Sequence, residues 1–311
     1  MMKKKTLLFL VGLLAYLFLV SCTGNEPHYR IGVSQCSDDA WRHQMNKEIL
    51  REALFYDKVE VEIRTAHDSN KQQKEDIHHF IDEDVDLLVV APNEAAPITP
   101  IVEEAYNRGI PVIVVDRKIL SDKYTAYVGA DNYEIGKAIG NYIAVMLHGK
   151  GNIAELTGLS GSTPAMDRHH GFVSAIAGHP GLHLLAHEDA GWRRPLAEGK
   201  MDTMLSRFSH IDVVYAQNDP MAAGAYTAAL QRGRERDIRF IGTDALPGKD
   251  LGVEQVLSGK LDATFIYPTG GDKVMQIAMK ILKKQQFPRE TLLNTSVVDK
   301  INALIMQMQT A

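Results

Sequence analysis

The sequence is poor in cysteine and has no excess of positive charge. Its two cysteines, Cys22 and Cys36, cannot form a disulfide framework, and their spacing matches no zinc- or haem-binding pattern. The 34 lysine and arginine residues are outnumbered by 39 aspartate and glutamate residues, which gives a formal net charge of −5. A protein that binds nucleic acid through its phosphates needs a basic surface. The composition therefore argues against nucleic acid as a partner and against a disulfide scaffold.

Motifs of cofactor sites and of common catalytic sites are also missing. None of the 24 glycines belongs to a dinucleotide-binding G-x-G-x-x-G pattern or to a phosphate-binding P-loop. Residues 158–162 (GLSGS) miss the G-x-S-x-G pattern of serine hydrolases by one position. His179, His183 and His187 have a spacing that would suit a metal ion on a helix, but a proline and a glycine interrupt that helix. We therefore expect no cofactor, no metal site and no catalytic residue.

The first 22 residues have the pattern of an export signal. Three lysines precede an apolar run at 6–20, which is shorter than the roughly 20 residues of a membrane-spanning helix. Residues 19–22 (LVSC) resemble the lipobox of bacterial lipoproteins, in which the signal peptide is removed before a cysteine that carries lipid. We predict a signal peptide at 1–21, lipidation at Cys22, a linker at 22–28, and a periplasmic location attached to a membrane. The alternative is an ordinary signal peptide, or an uncleaved anchor, with an incidental cysteine.

The rest of the chain alternates short apolar runs with helical patterns, which is typical of parallel strands joined by crossover helices. Continuous apolar runs at 87–90 (LLVV) and 112–115 (VIVV) indicate strands that are covered by helices on both faces. The predicted strands are 29–34, 59–64, 87–90, 112–115, 126–129, 152–156, 182–186, 213–216, 239–242, 263–266 and 294–298.

Eleven strands are more than one twisted open sheet usually carries. We therefore predict an α/β fold with two doubly wound Rossmann-like lobes, joined by three short crossovers near Asp131, Tyr267 and Asn294. A single TIM barrel, with eight strands, is the competing architecture.

Polar and aromatic residues follow the predicted strands at their carboxyl ends, where open α/β sheets bind ligands. Carboxylates and amides can accept the protons of sugar hydroxyls, arginine forks can donate to their oxygens, and aromatic rings can cover the apolar face of a sugar. A single such residue is more often a helix cap than a ligand, so the prediction rests on the whole set. The candidate binding residues are Ser34, Asp38, Trp41, Asp116, Arg117, Arg168, Trp192, Asn218, Asp244 and Tyr267.

Several separate motifs resemble those of periplasmic sugar-binding proteins of the ribose-binding type (type I). They are 110–117 (IPVIVVDR), 128–132 (VGADN), 171–172 (GF) and 216–222 (AQNDPMA). The resemblance implies two lobes that close on a sugar, with lobe 1 at 29–130 plus 268–293, lobe 2 at 131–267 plus 294–300, and a C-terminal helix at 301–311.

The same resemblance assigns roles to the candidate residues. It implies that Asp116, Arg117, Arg168, Asn218 and Asp244 hold the sugar between the aromatic plates Trp41 and Trp192, with Ser34 and Asp38 lining the same cleft. Asp38 and Tyr267 depart from the ribose-binding pattern, which has asparagine and glutamine there. The expected ligand is therefore a ribose- or fructose-like furanose.

A closer likeness is to the extracytoplasmic sensor domain of Bacteroides-type hybrid two-component systems. It is carried by 31–42 (IGVSQCSDDAWR), 91–97 (APNEAAP) and the C-terminal tail. Ile301, Leu304, Ile305 and Met308 would form an apolar stripe on a terminal helix, which could begin a signalling helix or dock on its own domain. The implied partners are a monosaccharide, a membrane and a sensor kinase module, and a homodimer is a further candidate assembly. The alternative is a lipid-anchored solute-binding protein that delivers sugar to an ABC permease.

Two other function classes are weaker. A glycoside hydrolase could use Asp116 and Asp244 as its two carboxylates, but the resemblance places both at hydrogen bonds to one small sugar. A sugar-responsive repressor would need a DNA-binding helix-turn-helix before the sugar domain, where this chain has the signal pattern. We therefore expect a non-catalytic binding protein.

Overall fold

The computed structural model describes residues 28–310, which form an α/β protein with two parallel sheets. The strands are β1 (Tyr29–Gln35), β2 (Val59–Thr65), β3 (Leu87–Val90), β4 (Val112–Val115), β5 (Ala126–Ala130), β6 (Lys150–Thr157), β7 (Gly181–Asp189), β8 (Val213–Ala216), β9 (Arg239–Ile241), β10 (Thr264–Phe265), β11 (Glu290–Leu293) and β12 (Val297–Val298). The helices are α1 (Ala40–Ala53), α2 (Asn70–Asp82), α3 (Ala95–Asn107), α4 (Asn132–Met146), α5 (Thr163–Ile176), α6 (Arg194–Arg207), α7 (Asp219–Gln231), α8 (Gly252–Leu257), α9 (Gly271–Leu282) and α10 (Lys300–Thr310).

The first sheet has the order β11-β5-β4-β3-β1-β2, and all of its strand pairs are parallel. Every residue of β3 and β4 is buried, as their uninterrupted apolar sequences predict for strands covered on both faces. The second sheet has the order β7-β6-β8-β9, again parallel. The prediction of an α/β fold with two doubly wound lobes is confirmed, and a single barrel is excluded.

The chain changes sheet three times. It leaves the first sheet after β5, returns after β10 to form α9 against α1, and leaves again after β11. β10, which precedes the second crossing, and β12, which follows the third, pair antiparallel with each other. We keep the residue boundaries of the two lobes, given above, as a proposal.

The predicted strands leave out one strand and overextend another. Residues 290–293 form an unpredicted strand, β11, at the edge of the first sheet beside β5, and within the predicted strand 294–298 only the two residues of β12 are in strand conformation. The residues of β11 alternate between exposed and half-buried, because an edge strand with one wet face needs few apolar side chains. The polar sequence of this strand therefore hides it from an apolar-run criterion.

The C-terminal helix α10 docks on lobe 2 through one face. Ala303 is fully buried, and Met306 packs against the lobe 2 core beside α8. Ile301, Leu304, Ile305 and Met308, the predicted stripe, are exposed on this helix. No helix within residues 28–310 is long and apolar enough to cross a bilayer. The predicted signal peptide and Cys22 lie outside the described residues.

Candidate ligand-binding cleft

A cavity of about 360 Å³ lies between the two sheets, beyond the carboxyl ends of their strands. Residues of both lobes line it, which is the arrangement expected of a cleft that closes on a ligand. The predicted residues that line it are Trp41, Asp116, Arg117, Arg168, Trp192, Asn218, Asp244 and Tyr267.

Asp116 is the buried anion of lobe 1, and it follows β4 directly. The Arg42 guanidinium and the Tyr267 hydroxyl both donate to its carboxylate, and Arg117 Nε lies 3.7 Å from Oδ2. Burial by itself would raise the pKa of Asp116, but the charges of Arg42 and Arg117 outweigh it and the pKa lies below its usual value. Asp116 is therefore an ionised acceptor in the cleft.

Trp41 and Tyr267 form an aromatic pair that joins lobe 1 to the crossover after β10. Their rings stack with centroids 5.3 Å apart and an interplanar angle of 26°. The Trp41 indole also donates through Nε1 to the Tyr267 carbonyl oxygen at 2.8 Å. Trp41 lies in the first turn of α1, which Asp39 caps: its side chain accepts from the Arg42 backbone N–H at 2.8 Å.

Arg168 is the central cation of lobe 2 and is 2% exposed. Its Nε donates to Asn132 Oδ1 at 2.8 Å, and its Nη1 donates to the Gln217 carbonyl oxygen at 2.5 Å. The guanidinium also lies 4.1 Å from the Tyr267 ring centroid and 5.5 Å from that of Trp192. These contacts fix the fork so that its remaining N–H groups can face a ligand.

Close packing of α4 on α5 positions Arg168. A Cβ built at Gly136 would overlap the Arg168 carbonyl oxygen, and one built at Gly171 would overlap the Tyr133 carbonyl oxygen. Glycine at both positions lets the two helix backbones approach directly. The helix that carries Arg168 is therefore held against the helix that carries its partner Asn132.

Asn218 both caps a helix and contacts a neighbouring residue of the cavity, Trp192. Its Oδ1 caps α7 by accepting from the Met221 N–H at 2.9 Å, and its Nδ2 donates to the Trp192 carbonyl oxygen at 3.1 Å. Trp192 also depends on Gly158, because a Cβ at Gly158 would overlap the indole ring. Asn218 thus positions Trp192 at the edge of the cavity.

Three residues of the cleft have left-handed backbone conformations. The φ angles are +61° at Asp116, +66° at Trp192 and +130° at Asp244. Such conformations are costly for residues with a side chain, and they persist where the surrounding structure imposes them. All three residues follow strand ends, where this strain turns a side chain into the cleft.

Asp219 and Asp244 are neighbouring carboxyl groups in lobe 2. Burial raises the pKa of Asp219 to about 7, although its carboxylate accepts from the Ala245 N–H at 2.8 Å and from Thr264 Oγ1 at 2.6 Å. Burial, followed by the charge of Asp219, raises the pKa of Asp244 well above its usual value. The Asp244 carboxylate has no hydrogen-bond partner among residues 28–310, so it is available to a ligand hydroxyl.

Sequence reasoning missed Arg42 and Gln255, which also line the cavity. Arg42 Nη1, Gln255 Oε1 and Trp192 Nε1 are buried polar atoms without a hydrogen-bond partner in the described part of the chain. Buried polar groups cost free energy unless they are paired, so these atoms mark places where ligand atoms could bond. Arg42 stands beside Trp41 in the first turn of α1, and that adjacency was the available signal.

Two of the predicted cleft residues, Ser34 and Asp38, do not line the cavity. Asp38 is on the surface, where its carboxylate lies 2.5 Å from His43 Nε2 and 3.7 Å from His67 Nδ1. Ser34 is fully buried beneath the cleft and accepts from Gln73 Nε2 at 3.3 Å. The chain continues through buried residues after Ser34 and reaches the cavity at Asp39, so the cleft begins later than the strand end suggested.

Within residues 28–310, no group of three or more histidine, cysteine, aspartate or glutamate side chains is placed to hold a metal ion. Cys36 is a buried free thiol.

Residues 31–286 match the sequence profile of the family described as periplasmic binding protein domain. The ribose import binding protein RbsB of Salmonella typhimurium is 32% identical over 202 residues, which cover 64% of this chain and 67% of that protein. The galactofuranose-binding protein YtfQ of Escherichia coli is 30% identical over 242 residues, which cover 75% of this chain and 74% of that protein.

A solved structure shares both the fold and much of the sequence. The fructose binding periplasmic domain of hybrid two component system BT1754 superposes with a TM-score of 0.90 at 65% identity, covering 91% of this chain and 94% of that chain. The resemblances stated from the sequence motifs, to the ribose-binding type and to the sensor domain of hybrid two-component systems, are confirmed.

Proposed function

This chain belongs to the periplasmic binding protein family, and we propose that it binds a monosaccharide in furanose form, ribose- or fructose-like, in the cleft between its lobes. As a member of that family it is a binding protein and not an enzyme. The ligand would remain chemically unchanged, and the protein's response would be closure of the two lobes around it.

The observation that carries the proposal is that polar residues from both lobes line the cavity. Asp116 and Arg117 come from lobe 1, whereas Arg168, Asn218 and Asp244 come from lobe 2. A ligand shifts an equilibrium between open and closed states only through its different affinity for the two. A sugar that accepts from arginines of both lobes and donates to carboxylates of both lobes would bind the closed state more tightly.

Fructose is the first candidate among furanose sugars. The solved domain at 65% identity is named for fructose binding, and one curated relative is named for galactofuranose. The stacked Trp41 and Tyr267 rings and the Trp192 ring offer apolar surfaces for the C–H groups of a compact ring.

We propose sensing as the use of this binding, with the chain as the extracytoplasmic domain of a two-component system. The name of the 65%-identical domain supports this reading, and so does the exposed stripe on α10, which would meet a sensor kinase module or a second copy of the chain in a homodimer. Delivery of sugar to an ABC permease is the alternative. It is favoured by the curated relatives named for ribose import and by the lipobox-like residues before Cys22.

Membership of the family implies a periplasmic or extracytoplasmic location. We propose in addition that lipid on Cys22, or an uncleaved apolar segment at 6–20, attaches it to a membrane. Mass spectrometry of the chain isolated from cells would distinguish the two, because a lipoprotein would begin at a lipid-bearing Cys22, whereas an uncleaved chain would keep residues 1–21.

Isothermal titration calorimetry with fructose, ribose, galactose, arabinose and glucose tests the ligand. Fructose should bind with a stoichiometry of one and should raise the midpoint of thermal unfolding. Ligand at 100 times its Kd adds roughly 2.7 kcal/mol to the free energy of unfolding, which corresponds to several degrees in a domain of this size. Titrations without heat for all five sugars would overturn the proposed ligand class.

A further inference from the structure

The end of lobe 1 opposite the cleft carries exposed apolar side chains. Leu54 is 85% exposed and Phe55 is 76% exposed, just after the last residue of α1. Leu50 is 47% exposed and precedes Leu54 by four residues, which places both on one side of the helix end. Because α1 begins at the cleft and runs away from it, these side chains lie at its far end. We call this surface the base of lobe 1.

Unpaired cations stand beside these apolar residues. α9 runs next to α1 in the same direction, since Gln276 Nε2 donates to Glu52 Oε1 at 3.1 Å and Lys283 Nζ lies 5.7 Å from the Tyr56 ring centroid. The C-terminal ends of both helices therefore meet at the base. The cations near these helix ends that form no ion pair with a described residue are Arg51, Lys280, Lys283 and Lys284, beside the carboxylates of Glu52 and Asp57. The end of α2 and the loop after it, at the same end of the lobe, carry the exposed carboxylates Asp82, Glu83, Asp84 and Asp86, so the excess of positive charge is confined to the ends of α1 and α9.

The chain enters lobe 1 through the same surface. The Tyr29 N–H donates to the Lys58 carbonyl oxygen at 2.8 Å, and the Tyr29 hydroxyl donates to the Leu282 carbonyl oxygen at 3.4 Å. Cys22 precedes Tyr29 by seven residues, so the chain can separate them by at most about 25 Å. A lipid on Cys22 would hold the base of lobe 1 near a bilayer.

We propose that the base of lobe 1 rests on an anionic membrane surface, with Leu54 and Phe55 in the headgroup region and the lysines at the C-terminal end of α9 against lipid phosphates. Apolar tips flanked by lysine and arginine are the combination that binds such an interface. A second copy of the chain fits less well, because a two-fold contact at this surface would bring the same cations face to face. The inference rests on the proposed membrane attachment, and it would direct the cleft away from the membrane.

Quenching by brominated lipids tests the placement. The full chain carrying Phe55→Trp is bound to vesicles of 70% phosphatidylcholine and 30% phosphatidylglycerol, with and without bromine on the acyl chains. Val145→Trp, at a residue of lobe 2 that is 77% exposed, is the matched control, and the parent chain corrects for Trp41 and Trp192. We expect bromine to quench the tryptophan at 55 and to leave the one at 145 unquenched.

A second pair of double variants tests whether the membrane contact requires the positive charge at the end of α9. Lys283→Gln with Lys284→Gln should at least halve the quenching at residue 55 on these vesicles, whereas Lys71→Gln with Lys74→Gln, at exposed lysines of α2 in the same lobe, should leave it unchanged. On vesicles of phosphatidylcholine alone, the quenching at residue 55 should be low in every variant.

Each other outcome overturns the inference. If the chain sediments with the vesicles but residue 55 is not quenched, the attachment stands and the proposed orientation is wrong. If the chain does not sediment with the vesicles, both the attachment and the orientation are wrong, and calorimetry with fructose on the same sample still reports sugar binding separately. Concentration-dependent dimerisation that is lost in Phe55→Trp would assign the base to a second copy instead.

Discussion

Arg42 and Asp116 form a buried ion pair beneath the cleft, and both side chains are 4% exposed. Arg42 belongs to the first turn of α1, and Asp116 follows β4, so the pair ties two elements of lobe 1 together. Arg42 Nη1 lacks a partner among the described residues, and Asp116 has a left-handed backbone. The backbone of Asp116 is therefore strained, and Arg42 keeps an N–H donor free. This is the pattern expected of binding residues that are held in place before the ligand arrives.

Replacing Asp116 by Asn should lower the free energy of unfolding by about 3–5 kcal/mol, because it leaves the buried Arg42 charge without a counterion. Asparagine tolerates the left-handed backbone at this position, so the effect reports the charge. Urea unfolding at pH 7 would measure it. Asp38→Asn is the matched control: that carboxylate is on the surface, and its loss should change the stability by less than about 1 kcal/mol.

The pH dependence of this effect has a defined direction. The pKa of Asp116 lies below its unfolded value of 3.8, so its contribution to stability is complete above that value and is lost as the pH falls through the lower folded-state pKa. The difference between the parent and Asp116→Asn should therefore shrink in strong acid. A difference that stays constant from pH 7 down to pH 2 would contradict the ion-pair explanation.

Much of the fold follows from the sequence, because buried parallel strands such as Leu87–Val90 are uninterrupted apolar runs. The carboxyl ends of those strands also identify most of the cleft. Sequence reasoning and the structure differ where the location of a side chain depends on the length of the loop between a strand and the next helix. Asp38 and Asp39 are adjacent and chemically identical, yet Asp39 caps α1 at the cavity and Asp38 faces solvent.

Arg42 shows a second limit of sequence reasoning. A charged residue in a helix is ordinarily assigned to the solvated face, and hydropathy gives no reason to bury it. Its burial depends on a counterion 74 residues away in sequence, which tertiary packing supplies. β11 is the converse case, since its Glu290 and Thr291 read as a loop and their place in the sheet depends on pairing with β5.

Arg168→Ala should weaken sugar binding at least about tenfold, which corresponds to a loss of about 1.4 kcal/mol of binding free energy. The guanidinium is fixed by Asn132 and the Gln217 carbonyl, so its remaining donors are prearranged for the ligand. Arg168→Lys keeps the charge without the planar fork and should also bind more weakly than the parent. Calorimetry would measure both. An affinity within a factor of two of the parent for Arg168→Ala would remove Arg168 from the binding site.

Asp244→Asn should stabilise the ligand-free protein at pH 8 and weaken sugar binding. Burial and the charge of Asp219 raise the pKa of Asp244, so the stability associated with its neutral form is complete below pH 3.8 and is lost as the pH rises through the raised folded-state pKa. The variant and the parent should have the same free energy of unfolding near pH 3.5, and the variant should become progressively more stable than the parent as the pH rises above that value. Urea midpoints at several pH values measure this, and a gap that narrows as the pH rises would contradict it.

Gly158→Ala should weaken sugar binding while leaving the protein folded. The added Cβ would overlap the Trp192 ring, so the indole must move from its place at the cavity edge. Gly199→Ala is the matched control, because nothing lies within 4 Å of a Cβ at this position inside α6, and alanine there should raise stability by about 0.5–1 kcal/mol. Calorimetry and urea unfolding of both variants separate the effects. Unchanged affinity in Gly158→Ala would show that the ligand does not depend on the position of Trp192, and the aromatic contact would have to come from Trp41 and Tyr267.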